Sequence, residues 1–274
     1  MMVGSTDGVQ IAIHDLGGAG PPLLLCHATG FHGRVWQPVA ERLTFHCYAL
    51  DFRGHGDSTR PDMLDIDWHG FGEDVLAAVE GLGLNEVRAA GHSKGGAALL
   101  LAEQAMHGTF SSLYLFEPIV IPPMAGMARS AANPLAEGAR RRRTTFESLD
   151  AAYDNYASKP PLNVLHPDAL RAYVDFGFAL EPDGSVRLKC RPDTEASTFE
   201  MGARNSAFSR LGEVPCPVTV ARGFDDGHGP ATLAPAVAAA LPDARLEEHP
   251  ALGHFGPLED PDGIATAITR AMPA

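Results

Sequence analysis

From Val9 to about Glu117 the chain alternates short apolar runs with stretches of helical period. That rhythm predicts strand–helix–strand units. Val9–His14 reads as an early strand, followed by the turn Gly17-Gly18-Ala19-Gly20. Leu23-Leu24-Leu25-Cys26 is continuously apolar between Pro22 and the polar His27-Ala28-Thr29-Gly30, which suits a strand buried on both faces. Phe45–Leu50, Val87–Gly91 and Leu113–Phe116 predict further strands. Helices are predicted over Ile66–Leu82, closed by Gly83, and over Gly95–Met106. The rhythm returns late, with strands at Val218–Ala221 and Arg245–Glu248 and helices at Thr232–Leu241 and Gly263–Met272. Short strands between helices imply a mostly parallel sheet with helices on both faces.

The middle breaks the pattern. Between about Ile121 and Val214 only Ser185–Cys190, after the turn Pro182-Asp183-Gly184, reads as a strand. Helix-like runs near Thr144–Tyr156 and Asp168–Phe178 make this stretch a mostly helical insert. The expected division is a core of residues 1–120 and 215–274 with a cap of residues 121–214.

The 274 residues carry 21 Lys+Arg against 34 Asp+Glu, a net charge of −13. An acidic balance disfavours nucleic acid and an anionic membrane surface as partners. No apolar run approaches the roughly 20 residues of a membrane span, and the N-terminus lacks a signal-peptide pattern. The four cysteines, Cys26, Cys47, Cys190 and Cys216, form no CxxC pair and read as reduced thiols of a cytoplasmic protein. The histidines show no metal-ligand spacing, so neither a metal nor a cofactor is expected. A small-molecule substrate is the expected partner. Composition leaves monomer and homodimer both open.

Gly91-His92-Ser93-Lys94-Gly95 matches G-x-S-x-G between a predicted strand and a predicted helix. That context forces a sharp turn with the serine hydroxyl standing above the sheet, at a helix start whose N–H groups favour a developing oxyanion. A serine at its free pKa needs a base and an orienting acid. Asp225-Asp226 follows one late strand and His254 another, so Ser93, Asp226 and His254 run in the order nucleophile, acid, base.

These pieces, together with His27-Ala28-Thr29-Gly30 and Asp51-Phe52-Arg53-Gly54-His55-Gly56-Asp57-Ser58, resemble an α/β-hydrolase of the lid-bearing, esterase-like kind over nearly the whole core. The resemblance implies a mostly parallel sheet with a helical cap inserted after the sixth strand. Its Gly-x-x-Asp acid loop, here Gly223-Phe224-Asp225-Asp226, selects Asp226 over Asp225. Glu117 is the second choice of acid, because some members place it there; the preferred reading makes it a pocket-wall carboxylate. The oxyanion hole is expected from the backbone N–H groups of Thr29 and Lys94, although Ala28 stands where the family has glycine. Phe176 and Phe178 are candidate pocket residues, with Tyr153, Tyr156 and Leu165 as further apolar walls; His32 reads first as a surface or packing residue, with a place in the pocket as the alternative. Arg140–Arg143 reads as a salt-bridged helix face, with attraction of an anionic substrate as the alternative.

The expected function is hydrolysis of a carboxylic ester, lactone or thioester through an acyl-enzyme on Ser93. Carbon–carbon bond hydrolysis, cofactor-free haloperoxidation and lyase chemistry use the same triad and remain alternatives. A non-catalytic small-molecule receptor is the alternative from another class. Dehalogenase and epoxide-hydrolase relatives place Asp where Ser93 stands.

Overall fold

The computed structural model describes residues 1–61, 66–123 and 133–272. The strands of its first part are β1 (Met2–Gly4), β2 (Gln10–Gly17), β3 (Pro22–Cys26), β4 (His46–Leu50), β5 (Val87–His92) and β6 (Phe110–Phe116). Short strands β7 (Thr145–Phe146), β8 (Phe178–Leu180) and β9 (Val186–Leu188) follow, and β10 (Val218–Arg222) and β11 (Ala244–Glu248) complete the set. The helices before the middle are α1 (Gln37–Ala40), α2 (His69–Gly81) and α3 (Lys94–Ala105). The middle holds α4 (Pro134–Arg140), α5 (Leu149–Ala157), α6 (Pro167–Gly177) and α7 (Pro192–Met201). Last come α8 (Ala234–Ala240), α9 (Gly256–Glu259) and α10 (Pro261–Ala271).

One sheet runs β1-β2-β4-β3-β5-β6-β10-β11, antiparallel at β1–β2 and β2–β4 and parallel from β4 onward. The period of two along β3 explains its position. Leu24 and Cys26 join the core with α2 and α3, while Leu23 and Leu25 face α1 and α10. All four are fully buried, each aliphatic side chain contributing about 1.5–3 kcal/mol. The chain steps from β3 to β4 on one side and then to β5 on the other. The carboxyl ends of β3 and β5 therefore flank a switch point, where open α/β sheets form their crevice.

Between β6 and β10 lie α4 to α7 and a separate antiparallel sheet, β7-β9-β8. Residues 124–132 of the expected cap lie outside the described residues. The helix expected to reach Phe178 stops at Gly177, and Phe178–Leu180 pairs instead with Val186–Leu188 across the turn at Gly184 (φ 88°). Helix α7 escaped the periodicity because its buried face is partly polar: Thr194, Ser197 and Thr198 point inward. Three-residue β1 was too short to read. The loop after β4 is braced by Asp51, which accepts the N–H groups of Gly33 and Asp57 and pairs with His14 at 2.9 Å. Beside it, Arg53 is held by Asp74 and Asp7.

Candidate active site

The turn after β5 is strained at one residue. Ser93 has φ 56° and ψ −115°, a conformation that costs an L-residue on the order of 1–3 kcal/mol. Both flanking glycines are needed for close approach. A Cβ on Gly95 would lie 2.2 Å from the Cys26 carbonyl oxygen, and one on Gly91 would lie 2.7 Å from the Gly95–Gly96 backbone. The turn is pinned by Ser93 N–H donating to Phe116 O at 2.9 Å and Ile119 N–H donating to Ser93 O at 3.2 Å. The backbone that carries the hydroxyl is thus fixed.

His254 comes from the loop after β11. Its Nε2 lies 3.2 Å from Ser93 Oγ, and its Nδ1 lies 2.6 Å from Glu117 Oε2. His92 Nε2 donates to the His254 carbonyl oxygen at 2.7 Å, fixing the loop from beneath. Burial holds the His92 pKa well below the ordinary histidine value, with nearby His254 adding to the effect, so His92 is neutral.

The carboxylate on His254 is Glu117 and not Asp226. Glu117 follows β6 with φ 45°, is 1 % exposed, and accepts the Gly223 N–H on Oε1 at 2.8 Å. Asp226 is exposed and accepts the N–H of His228 in its own loop at 2.9 Å. Asp225 pairs with Arg222 at 2.7 Å. The residue expected as acid therefore lies in a solvated turn, and the carboxylate that meets His254 Nδ1 is Glu117, expected as a pocket wall.

Of the expected oxyanion donors, Lys94 is the first residue of α3, where helix N–H groups lack intrahelical acceptors, and Thr29 borders the same cavity as Ser93. His27 braces that loop: its Nε2 accepts the Phe52 N–H at 3.1 Å, so Nδ1 carries the proton donated to Ala28 O at 2.7 Å. The Lys94 side chain turns away from the cavity. Its Nζ sits 4.0 Å from the Phe52 ring centroid and 4.4 Å from that of Phe71. Burial pushes its pKa down to about 7.

A cavity of about 840 Å³ opens above Ser93 and His254. Its walls include Phe31, Trp68, Tyr156, Leu162, Tyr173 and Phe199, with Arg142 and Glu195 among the charged groups. The other expected pocket residues lie elsewhere. His32 is buried beneath α6, with Nε2 at 3.2 Å from Tyr173 O. Phe176 is on the outer surface against Arg34, and Phe178 packs on Phe146 and Tyr156. Their apolar character does not decide their direction: the register of α6 and β8 turns both aromatics away from the cavity. Glu195 and Tyr173 carry no signal in the sequence that marks them as site residues, and Arg142 enters only through the alternative reading of the arginine run as an attractor of anions. The arginine run that holds Arg142 looked like one helix face, whereas α4 ends at Arg140 and the following residues diverge.

A mostly parallel sheet carrying an elbow serine, with a carboxylate-bound histidine at the same carboxyl edge, has the architecture of an α/β-hydrolase. A model of the alpha/beta hydrolase family matches residues 23–267, and the chain belongs to that family. Haloalkane dehalogenase 2 of Mycobacterium tuberculosis is 28% identical over 264 residues, covering 92% of this chain and 87% of that protein. Protein phosphatase methylesterase 1 of Bos taurus is 30% identical over 151 residues, 52% of this chain and 38% of that one. The crystal structure of E-2-(acetamidomethylene)succinate hydrolase superposes with a TM-score of 0.79 at 20% identity, covering 100% of this chain and 99% of the other. No helix among the described residues is long and apolar enough to cross a membrane.

Proposed function

We propose that the chain is a serine hydrolase that cleaves a carboxylic ester, thioester or lactone through an acyl-enzyme on Ser93. The observation that carries this reading is the relay Ser93 Oγ–His254 Nε2–Glu117, at 3.2 and 2.6 Å. In the first step Ser93 Oγ bonds to the carbonyl carbon while its proton passes to His254 Nε2. Glu117, accepting from Nδ1, fixes the tautomer with a free Nε2 lone pair and stabilises the imidazolium. The N–H groups of Thr29 and Lys94 receive the oxyanion. His254 then returns the proton to the leaving alcohol or thiol. Water, deprotonated by His254, releases the acid and regenerates the hydroxyl. The segment between β6 and β10 serves as the cap that closes the cavity.

Similarity to a dehalogenase does not bring that activity with it. Attack by Ser93 on an alkyl halide would leave an ether, which has no carbonyl for water to attack, so the enzyme would not turn over. Four buried free cysteines fit a reducing compartment, consistent with a cytoplasmic protein.

The test is labelling with a fluorophosphonate, read by intact mass, beside hydrolysis of p-nitrophenyl esters of graded length. One adduct and turnover in wild type, both lost in Ser93→Ala, are expected. Absence of both in the folded wild type refutes the hydrolase reading and favours a receptor. Labelling without turnover of any ester, thioester or lactone favours carbon–carbon hydrolysis or lyase chemistry.

A further inference from the structure

The cavity above Ser93 has the opposite charge balance to the molecule. The chain's net charge is −13, yet the described charged residues bordering the cavity, apart from His254, are Arg141, Arg142, Arg143 and Lys159 against Glu195. The arginines differ in what they touch. Arg141 reaches Glu137 at 3.8 Å on the exposed side of α4, and Arg143 lies over the Phe146 ring at 4.3 Å. Arg142 turns inward. Its Nη1 donates to Glu195 Oε2 at 2.6 Å, and its Nη2 donates to the hydroxyls of Tyr156, at 3.3 Å, and Tyr173.

This cluster abuts the oxyanion loop. A Cβ built on Gly30 would lie 2.5 Å from Glu195 Oε1 and 3.4 Å from Arg142 Nη1, and Gly30 neighbours Thr29. A phenol oxygen that accepts from a guanidinium keeps its own proton for another acceptor. Tyr156 and Tyr173 both border the cavity, so two O–H donors polarised by Arg142 stand beside the Arg142–Glu195 pair. Burial raises the Tyr173 pKa far above its ordinary value, which keeps that phenol a donor. Glu195, the one described carboxylate among the charged residues named above, is already engaged by Arg142. The unmatched positive charge of Lys159, exposed at the mouth, is left to attract an anion.

We propose that the substrate carries an anionic group of carboxylate size, held by Arg142 and the hydroxyls of Tyr156 and Tyr173 beside the oxyanion loop. The proposal rests on the hydrolase reading and narrows its substrate class to acyl compounds bearing a carboxylate on the acyl or the alcohol side. Apolar walls from Trp68, Leu162 and Phe199 take the carbon chain between that group and the carbonyl.

Two matched pairs test it. On the acyl side, mono-p-nitrophenyl adipate is compared with p-nitrophenyl hexanoate. On the alcohol side, 4-acetoxybenzoate is compared with its neutral methyl ester. Each kcat/KM is normalised to the ester's hydroxide-catalysed rate. At least a tenfold preference for the anion is expected in one arm. Arg142→Gln should reduce that ratio about tenfold, Tyr156→Phe severalfold, and Lys159→Gln about twofold. Because Arg142 also ties cap segments together, the ratio is read within each variant, where partial misfolding lowers both esters alike. If Arg142→Gln does not fold, Tyr156→Phe and Lys159→Gln decide the result. A wild type without preference in either arm, while the neutral esters are still hydrolysed at Ser93, overturns this inference and leaves the hydrolase reading standing. A preference that survives all the folded variants also overturns it. No Ser93 labelling and no turnover in any arm removes both.

Discussion

Replacing Glu117 with Gln should remove nearly all activity, whereas Asp226→Asn should leave it within about twofold. The reason lies in the two oxygens of Glu117, each already assigned a donor: Gly223 N–H on Oε1 and His254 Nδ1 on Oε2. An amide has one acceptor oxygen and one NH2. If the oxygen serves Gly223, the NH2 faces Nδ1 and selects the tautomer with its proton on Nε2, where no lone pair remains for the Ser93 proton. If the oxygen serves His254, the NH2 meets the Gly223 N–H in a buried site, an unsatisfied pair costing about 1–3 kcal/mol. Loss of the orienting carboxylate in such triads costs about 10⁴-fold in kcat. Here a loss of 10³- to 10⁴-fold is expected, about 4–5 kcal/mol in the barrier. The assay is kcat/KM on a short-chain p-nitrophenyl ester, with circular dichroism confirming the fold of each variant. Retention of more than a tenth of wild-type activity by Glu117→Gln, or an equal loss in Asp226→Asn, would refute the assignment.

Ser93→Gly should abolish turnover and raise the melting temperature, since glycine relieves the positive φ; about 1 kcal/mol corresponds to roughly 2–4 °C at this size. A lower melting temperature than Ser93→Ala would contradict strain at the elbow. Lys94→Met should stabilise the protein most at neutral pH. The folded amine has a pKa of about 7 against 10.5 when free, so between those values the unfolded chain binds more protons and wild-type stability climbs with pH. The gap between Lys94→Met and wild type should therefore widen as pH falls from 10 to 7, and urea titrations showing a constant gap would exclude this effect. Arg53→Leu leaves Asp74, fully buried, without its main counter-ion and should cost about 3–5 kcal/mol by denaturant melting. A change under 1 kcal/mol would mean that the pair does not hold the loop after β4.

The core was legible because its signals are local and periodic. Leu23–Cys26 reads as a buried strand and is one, and the glycines around Ser93 read as a turn and sit where a Cβ would strike backbone, that of Cys26 at Gly95 and that of Gly95–Gly96 at Gly91. The segment between β6 and β10 was legible only as a region. Its β7 and β8 are two and three residues long, below any readable period, and α7 buries hydroxyls where an apolar stripe is the usual signal. Arg142 shows the same difficulty at one residue. Nothing in four consecutive arginines marks the third as the one that turns inward, because that depends on where α4 stops and on Glu195 and two tyrosines from other helices.

The acid was ambiguous for a topological reason. Strands β6 and β10 are parallel neighbours, with Phe116 opposite Ala221, so the chain leaves both strands at the same carboxyl edge. Glu117 N–H donates to Ala221 O, which carries the chain one residue past β6 along the edge of β10. From there a positive φ and the extra methylene of glutamate bring its carboxylate to Nδ1 while the other oxygen holds Gly223. Glu117 thus fills the position an aspartate in the β10 loop would need. Two carboxylates at 2.6 Å from one Nδ1–H would repel in a largely buried site, so occupation by Glu117 leaves the loop acids free to face solvent. On that argument, moving the acid to the β10 loop requires removing Glu117 first. Glu117→Ala combined with Asp225→Glu or Asp226→Glu, which lengthens a carboxylate already in that loop, should regain activity over Glu117→Ala alone, whereas the same loop substitutions in wild type should gain nothing. Equal gains in both backgrounds, measured as kcat/KM on one ester, would show that the two positions do not compete for the imidazole.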